Sequence, residues 1–362
     1  MCQGHCGMTE AELAEFARTV GASVPSRDEL QSTIFEQRAT GDDRDSVRAG
    51  EVPPAYEAQR YSVADEESGE GTRRRSTEGD GGRRRNLVFP PAPEPLPYPI
   101  VDNHTHMDLL DGEVAISARD ALDTGEALGI GSIVQVGCDV PSSLFAVAAA
   151  AADARVLAAV ALHPNEAPKL AEAGELDAAL KVIETLAAEP RVRAVGETGL
   201  DYFRTGTEGV AAQKQSFREH IRIATEHGLA LQIHDRDAHD DVVDILLEEG
   251  APERTVFHCY SGDADLARVC NEHGWYMSFS GTVTFKNSRG IQESLCLARP
   301  ELILAETDAP FLTPHPFRGR PNASYMTNYT VRFMAEHLGT DLEQLCRQIA
   351  ANSREVYGSW ES

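Results

Sequence analysis

Six side chains of metal-ligand type follow short apolar runs: His104 and His106 in DNHTHMD (102–108), Glu197 in GETGLDY (196–202), His234 in IHDR (233–236), His258 in FHCYSG (257–262) and Asp308 in ETDAP (306–310). In an extended chain residues i and i+2 face the same way, so His104 and His106 can reach one ion together. Alone, that spacing carries little, because twelve histidines in 362 residues give about 0.4 such pairs by chance. The weight lies in the set. One ion needs three or four protein ligands plus an open position, and six donors can serve two ions about 3.5–4 Å apart if a carboxylate bridges them. Glu197 is the bridge by position, between the His104/His106 pair and the His234/His258 pair. Mixed imidazole and carboxylate ligands fit Zn, Mn, Fe or Co and do not separate these from Mg. Cys259 adjoins His258 but falls on the opposite side of a continuing strand. His163, before Pro164, faces the same mouth without a partner at ligand spacing, which predicts at most a supporting role.

Such residues need a scaffold that brings distant segments to one point. Residues 98–362 supply a repeating pattern of short β-rich runs, each followed by a longer amphipathic or Ala-rich stretch. Strands are predicted at 100–104, 132–136, 156–161, 192–195, 230–233, 255–257, 275–279 and 302–305. The clearest helices are 178–188, 213–227, 238–249 and 264–273, several ending at a glycine (Gly228, Gly250, Gly274), as helix C-termini do. Eight strands alternating with helices over about 260 residues predict a (β/α)8 TIM-type barrel. No G-x-G-x-x-G or P-loop follows any strand, which argues against a doubly wound sheet. Barrels place their chemistry where strands end, and there the six residues lie, at the ends of strands 1, 4, 5, 6 and 8.

Composition bounds the rest. Hydrophobic residues are 41% and charged residues 25%, as in soluble globular proteins. The longest small-apolar stretch, 145–152, is too short to span a membrane, and the first ten residues lack a signal-peptide pattern. Seven irregularly spaced cysteines read as reduced thiols of a cytoplasmic protein, and Cys2, His5 and Cys6 lack a fourth partner for zinc. With 33 basic and 58 acidic residues the formal charge is 33 − 58 = −25, which excludes nonspecific nucleic-acid binding through a broad basic face. Cations in one cleft can still reverse the local sign. Residues 1–97 differ from the remainder: 12 arginines, no lysine and 18 acidic residues, for a net 12 − 18 = −6. A short amphipathic helix is predicted at 9–20. The stretch 65–85, with two Arg triplets and almost no apolar side chain, is predicted disordered, and FPPAPEPLPYP (89–99) reads as an extended linker. Function is assigned to 98–362.

The segments DNHTHMD (102–108), ALHPNEA (161–167), VGETGLDYF (195–203), IHDRDAH (233–239), FHCYSGD (257–263), SFSGTVTFKN (278–287), ETDAPFLTP (306–314) and RGRPNASY (318–325) resemble the TatD family of metal-dependent deoxyribonucleases, a branch of the amidohydrolase-like barrels. The likeness covers residues 98–357 and none of the first 97. It implies one ion held by His104, His106, Glu197 and Asp308, a second held by Glu197, His234 and His258, and hydrolysis of DNA phosphodiester bonds, often from 3′ to 5′. Two divalent ions (Mg, Mn or Zn) are thus expected, with Asp308 as ligand and proton acceptor for the attacking water, and DNA ends or short oligonucleotides as substrate. Arg204, Arg236, Lys286, Arg318 and Arg320 are the candidate phosphate contacts, and Tyr202, Phe203 and Phe285 the candidate base-stacking rings.

The alternatives are a metal-dependent hydrolase of a small ester, lactone or amide, an enzyme acting on aminoacyl-tRNA esters, and an inactive interaction module. Related barrels acting on small molecules often carry a carbamylated lysine at the end of strand 4, where this chain has Glu197. An inactive module would show degenerate ligands, and all six are present.

Overall fold

The computed structural model describes residues 47–57, 73–74, 85–114 and 116–360. Eight parallel strands, β1 (Ile100–Thr105), β2 (Ile130–Val136), β3 (Val156–Val160), β4 (Val192–Asp201), β5 (Ala230–Arg236), β6 (Thr255–Phe257), β7 (Tyr276–Phe279) and β8 (Ile303–Ala305), pair in sequence order. Helices α1 (Ala118–Ala127), α2 (Val140–Ala152), α3 (Ala167–Ala173), α4 (Leu176–Ala187), α5 (Val210–His227), α6 (His239–Glu249), α7 (Ala264–His273), α8 (Arg289–Leu297), α9 (Thr327–Leu338) and α10 (Leu342–Tyr357) complete the (β/α)8 barrel. Strands buried on both faces need runs of apolar residues, and Val156–Val160 is wholly buried. Gly228 and Gly274 end α5 and α7 in the left-handed region, at φ 62° and 72°, which glycine adopts without a Cβ clash.

The barrel closes between β8 and β1 through a seam rather than a ladder. One parallel bridge joins Thr105 to Ala309. Side chains carry the rest: Asn103 donates to the Ala305 carbonyl at 2.8 Å, and the buried Asp102 carboxylate accepts from the Thr307 amide at 2.8 Å and its hydroxyl at 2.6 Å. The Asp308 amide donates to the His104 carbonyl (2.9 Å) and the His106 amide to that of Ala309 (2.8 Å).

Two strands run further than their sequences predict. β4 continues past 195 to Asp201 and β5 past 233 to Arg236, so Glu197 and His234 lie inside strands. The pairing shifts register between Val195 and Thr198, a bulge that interrupts the alternation on which the sequence prediction rests. Glycine on both sides makes this possible. A Cβ at Gly196 would press on Gln232, and one at Gly199 would run into the His234 carbonyl.

The proline-rich run is not a free linker. Its prolines offer carbonyls but no N–H groups, and the barrel supplies donors. Tyr325 donates its hydroxyl to Pro90 (2.6 Å), Tyr329 to Pro91 (3.1 Å), and Asn328 its amide to Glu94 (2.9 Å). Tyr56 and Phe89 pack edge-to-face, their centroids 4.6 Å apart, in an apolar cluster with Leu128, Tyr325 and Met326. The composition break near 97 is therefore crossed by packing. The predicted helix at 9–20, the Cys2–His5–Cys6 group and most of 65–85 lie outside the described residues.

Candidate metal centre

Four imidazoles converge on one carboxylate at the C-terminal mouth. His104 Nε2 and His106 Nε2 are 3.2 Å apart. Glu197 Oε2 lies 3.6 and 3.9 Å from them, and Asp308 Oδ1 3.8 and 3.3 Å. The other oxygen of Glu197, Oε1, faces His234 Nδ1 at 2.6 Å and His258 Nε2 at 2.9 Å. Ligands about 2.1 Å from a tetrahedral ion stand about 3.4 Å from one another, close to the spacing of the first four atoms.

The opposite nitrogens explain why these atoms point inward. His104 Nδ1 donates to Gln232 Oε1 (3.0 Å), His106 Nδ1 to the Val136 carbonyl (3.0 Å) and His258 Nδ1 to Glu306 Oε1 (3.2 Å). His234 Nε2 donates to Asp201 Oδ2 (3.3 Å). When neutral, as metal ligation requires, each ring so bonded keeps its proton on the outer nitrogen and turns a lone pair inward. Lone pairs of His104 and His106 at 3.2 Å, beside two carboxylates, repel unless a cation or a proton lies between them. Asp308, at φ 53°, is held in the left-handed region by its amide bond across the seam.

His163 faces the same mouth, as its strand-end position predicts, and comes closer to the centre than a supporting role suggests. Its Nε2 lies 3.4 Å from Glu197 Oε1, and His163, Glu197 and His234 offer three ligand-type atoms within 4.8 Å. The Asn165 amide, however, donates to His163 Nδ1 at 3.0 Å. Burial holds this ring below the usual histidine range, so it is neutral with its proton on Nε2. His163 thus faces the centre as a donor, unlike the other four. The available signal was its place at a strand end; the tautomer has no sequence signature.

Residues 101–358 match the sequence profile of the TatD related DNases. The chain belongs to that family. It is 43% identical over 263 residues to the Mycobacterium tuberculosis protein named metal-dependent hydrolase TatD, covering 72% of this chain and 98% of that one. To the metal-dependent hydrolase YabD of Bacillus subtilis it is 34% identical over 259 residues, 71% of this chain and 98% of that one. Among solved structures, the TatD homologue YJJV of Escherichia coli superposes with a TM-score of 0.64 at 21% identity, over 72% of this chain and 98% of that one, a likeness of fold. This TatD-family chain is accordingly a metal-dependent hydrolase with a TIM barrel.

Electrostatics in the centre are those of a cation cradle. Burial opposes the charge on Glu197, yet His258 and His163 hold its carboxyl well below the usual range. At His258 and His234 burial favours the neutral ring, and the facing carboxylates outweigh it and raise both. Asp201 is also held down against burial, by His234, Asn165 and the Arg204 amide. Cys138, absent from the sequence prediction, has its thiol 3.5 Å from Glu197 Oε2, and burial pushes it up to about 12, so it is a neutral donor there. Cys259 leaves the strand at φ 42° and contacts the Ser280 hydroxyl, outside the ligand set.

Around the mouth the predicted cations divide. The Arg236 guanidinium lies 3.9 Å over the exposed Phe203 ring, and that of Arg318 4.5 Å over Phe285. Arg204 and Lys286 are exposed. Arg320 turns away: it donates to the Val88 and Phe89 carbonyls and clamps the proline-rich segment. Tyr202 is tied by its hydroxyl to Asp241 at 2.5 Å. No helix among the described residues is long and apolar enough to cross a membrane.

Proposed function

We propose that this chain hydrolyses phosphodiester bonds of DNA, shortening strands from the 3′ end, with two divalent ions. His104, His106, Glu197 and Asp308 would hold one, and Glu197, His234 and His258 the other. The observation that carries this reading is the set of four histidines, each fixed by its outer nitrogen, aimed at the two oxygens of Glu197. The donor set fits such ions, because His104, His106, His234 and His258 in their neutral form offer inward lone pairs beside the Glu197 and Asp308 carboxylates, while His163 offers an N–H. Bound divalent ions lower the pKa of water and neutralise phosphate charge. The protein's part is separate. Asp308 accepts the proton of the attacking water, Oδ1 being placed against His106 and His104. His163 Nε2–H stabilises charge developing on the reacting phosphate oxygens as a fixed donor. Arg236 over Phe203 and Arg318 over Phe285 bind backbone phosphate, and the exposed Phe203 face takes a terminal base. Arg204 and Lys286 add charge at the rim, while Arg320 acts only through the segment it clamps.

Glutamate at position 197 favours this reading over a small-ester hydrolase of the carbamylated-lysine type. Short oligonucleotide ends suit a chain of charge −25 better than long duplexes. Five unpaired thiols among the described residues (Cys138, Cys259, Cys270, Cys296 and Cys346) suit the reducing cytoplasm. The test is cleavage of 3′-labelled against 5′-labelled single-stranded oligomers by chelator-stripped protein resupplied with Mg, Mn or Zn, wild type beside Glu197→Ala. Stepwise shortening from the 3′ end, lost in the variant, is expected. A metal-loaded wild type that leaves the oligomers intact refutes the proposal and leaves aminoacyl or small-molecule esters.

A further inference from the structure

His106 and Asp308 differ from the other proposed ligands in how the fold holds them. Glu197 lies within β4 and His234 within β5. β1 ends at Thr105 and β8 at Ala305, so His106 and Asp308 sit on loops beyond their strands, at the seam bridged by Thr105 and Ala309. Loops are the more mobile parts of a fold, whereas a metal site needs its ligands held within about 0.5 Å. His106 Nε2 and Asp308 Oδ1 nevertheless face each other at 3.3 Å.

Residues 85–92 precede the family match, which begins at residue 101, and they touch both loops. On the β1 side the Glu113 amide donates to the Leu87 carbonyl at 3.1 Å. Phe89 lies so close over Gly112 that a Cβ there would run into its ring. The same loop turns back on its ligand, the Leu109 amide donating to the His106 carbonyl at 3.3 Å. On the β8 side Arg320 donates to the carbonyls of Val88 (2.8 Å) and Phe89 (2.5 Å), and Tyr325 to that of Pro90 (2.6 Å). Between those two donors in sequence, Asn322 bonds the carbonyls of Thr307 (3.0 Å) and Phe311 (2.5 Å), on either side of Asp308. The strap has its own anchor: the Gly50 amide donates to Ala92 and the Ala92 amide to Glu51, both at 2.7 Å.

We infer that residues 85–92 are a splint for one half of the metal centre, fixing His106 and Asp308 to each other, with Phe89 and Arg320 as its positioning residues. This rests on the two-ion reading above. The splint acts on the ion of His106 and Asp308. The other ion's ligand His234 is held by its strand ladder, and His258 by Glu306. Coupling is reciprocal: the factor by which the docked strap strengthens the ion is the factor by which the ion strengthens docking. Such factors run from about 5 to 150, and about tenfold is expected here.

Chelator-stripped full-length wild type, Phe89→Ala and Arg320→Met are titrated with Zn against a chromophoric chelator. Amide hydrogen exchange of the wild type is read with and without Zn. Of the two binding steps, the one that His106→Ala abolishes is expected to weaken about tenfold in both variants, the other staying within twofold. Zn should slow exchange at the Ala92 and Glu113 amides about tenfold, and less at amides of α4, across the barrel from the seam. Two unchanged steps overturn the inference. Two steps weakened alike also overturn it, because the strap would then support the barrel as a whole. Exchange at Ala92 and Glu113 that is indifferent to Zn overturns it by reciprocity, and that result needs no variant to fold. A wild type that binds fewer than two Zn refutes the two-ion reading, and this inference with it.

Discussion

Replacing Gln232 by methionine tests whether the outer nitrogen of a ligand histidine governs the metal. Gln232 is fully buried in β5 and makes three bonds. Its Oε1 accepts from His104 Nδ1 at 3.0 Å, and its Nε2 donates to the Asn103 carbonyl at 2.9 Å and the Tyr357 hydroxyl at 2.8 Å. Methionine keeps the volume and removes every bond. The ring of His104 can then rotate or exchange its proton between nitrogens, and either change blunts the inward lone pair. Outer partners of ligand histidines are worth about 10–100-fold in metal affinity, about 1.4–3 kcal/mol. Titrating chelator-stripped protein with Zn against a chromophoric chelator reads this without activity. Lost buried bonds cost about 1–3 kcal/mol each, so thermal melts in excess Zn must accompany it to show that the variant is folded. Affinity within twofold of wild type in a folded variant would refute the reasoning, because the lone pair of His104 would then need no outer partner.

Asp308→Asn keeps a ligand oxygen and removes the proton acceptor; at least one ion per chain should remain by metal analysis while turnover falls about 10²–10⁴-fold, and unchanged turnover sinks the assignment. His163→Ala should leave the metal count at the wild-type value and cut kcat about 10²–10³-fold, with partial rescue by His163→Gln; loss of an ion would make His163 a ligand. His220 is buried with the Leu162 amide donating to its Nε2 at 3.1 Å, and burial lowers it from 6.5 to about 4. The unfolded chain takes up this proton as pH drops below 6.5 and the folded ring does not. The stability it confers is complete above pH 6.5 and is lost towards pH 4. Urea titrations should therefore show wild type losing about 2 kcal/mol more than His220→Gln between pH 7 and 5, and parallel curves would exclude the linkage. Chelation should speed hydrogen exchange at the His106 and Asp308 amides, which bond across the seam, more than at β3–β4 amides. At metal concentrations of about 100 Kd the stabilisation removed is about 2.7 kcal/mol, and equal acceleration everywhere would show that the centre does not staple the seam.

The barrel was legible because its signals are local and repeated. Apolar runs of strand length and glycines such as Gly228 and Gly274 mark boundaries wherever they occur. The errors fall where tertiary contact overrides local pattern. Gly196 looks like a strand terminator and is instead what lets β4 press on Gln232 and continue to Asp201. The run at 89–99 has the composition of a linker, and only the donors of Tyr325, Tyr329 and Asn328, more than 200 residues later, turn it into a strap. Nothing within the segment announces them.

The site divides along the same line. Residue type and strand-end position place His104, His106, Glu197, His234, His258 and Asp308 at one mouth, since a barrel leaves such side chains few other places to go. Those criteria apply equally to His163, which also ends a strand and lies as near Glu197 as several members of the set. What separates it is one backbone amide. With Asn165 N–H on Nδ1 the ring presents a proton, whereas Gln232, Val136, Asp201 and Glu306 make the other four, when neutral, present lone pairs. In the proposed reading ligand and donor are thus the same residue type at equivalent positions, distinguished by which nitrogen the surrounding fold occupies.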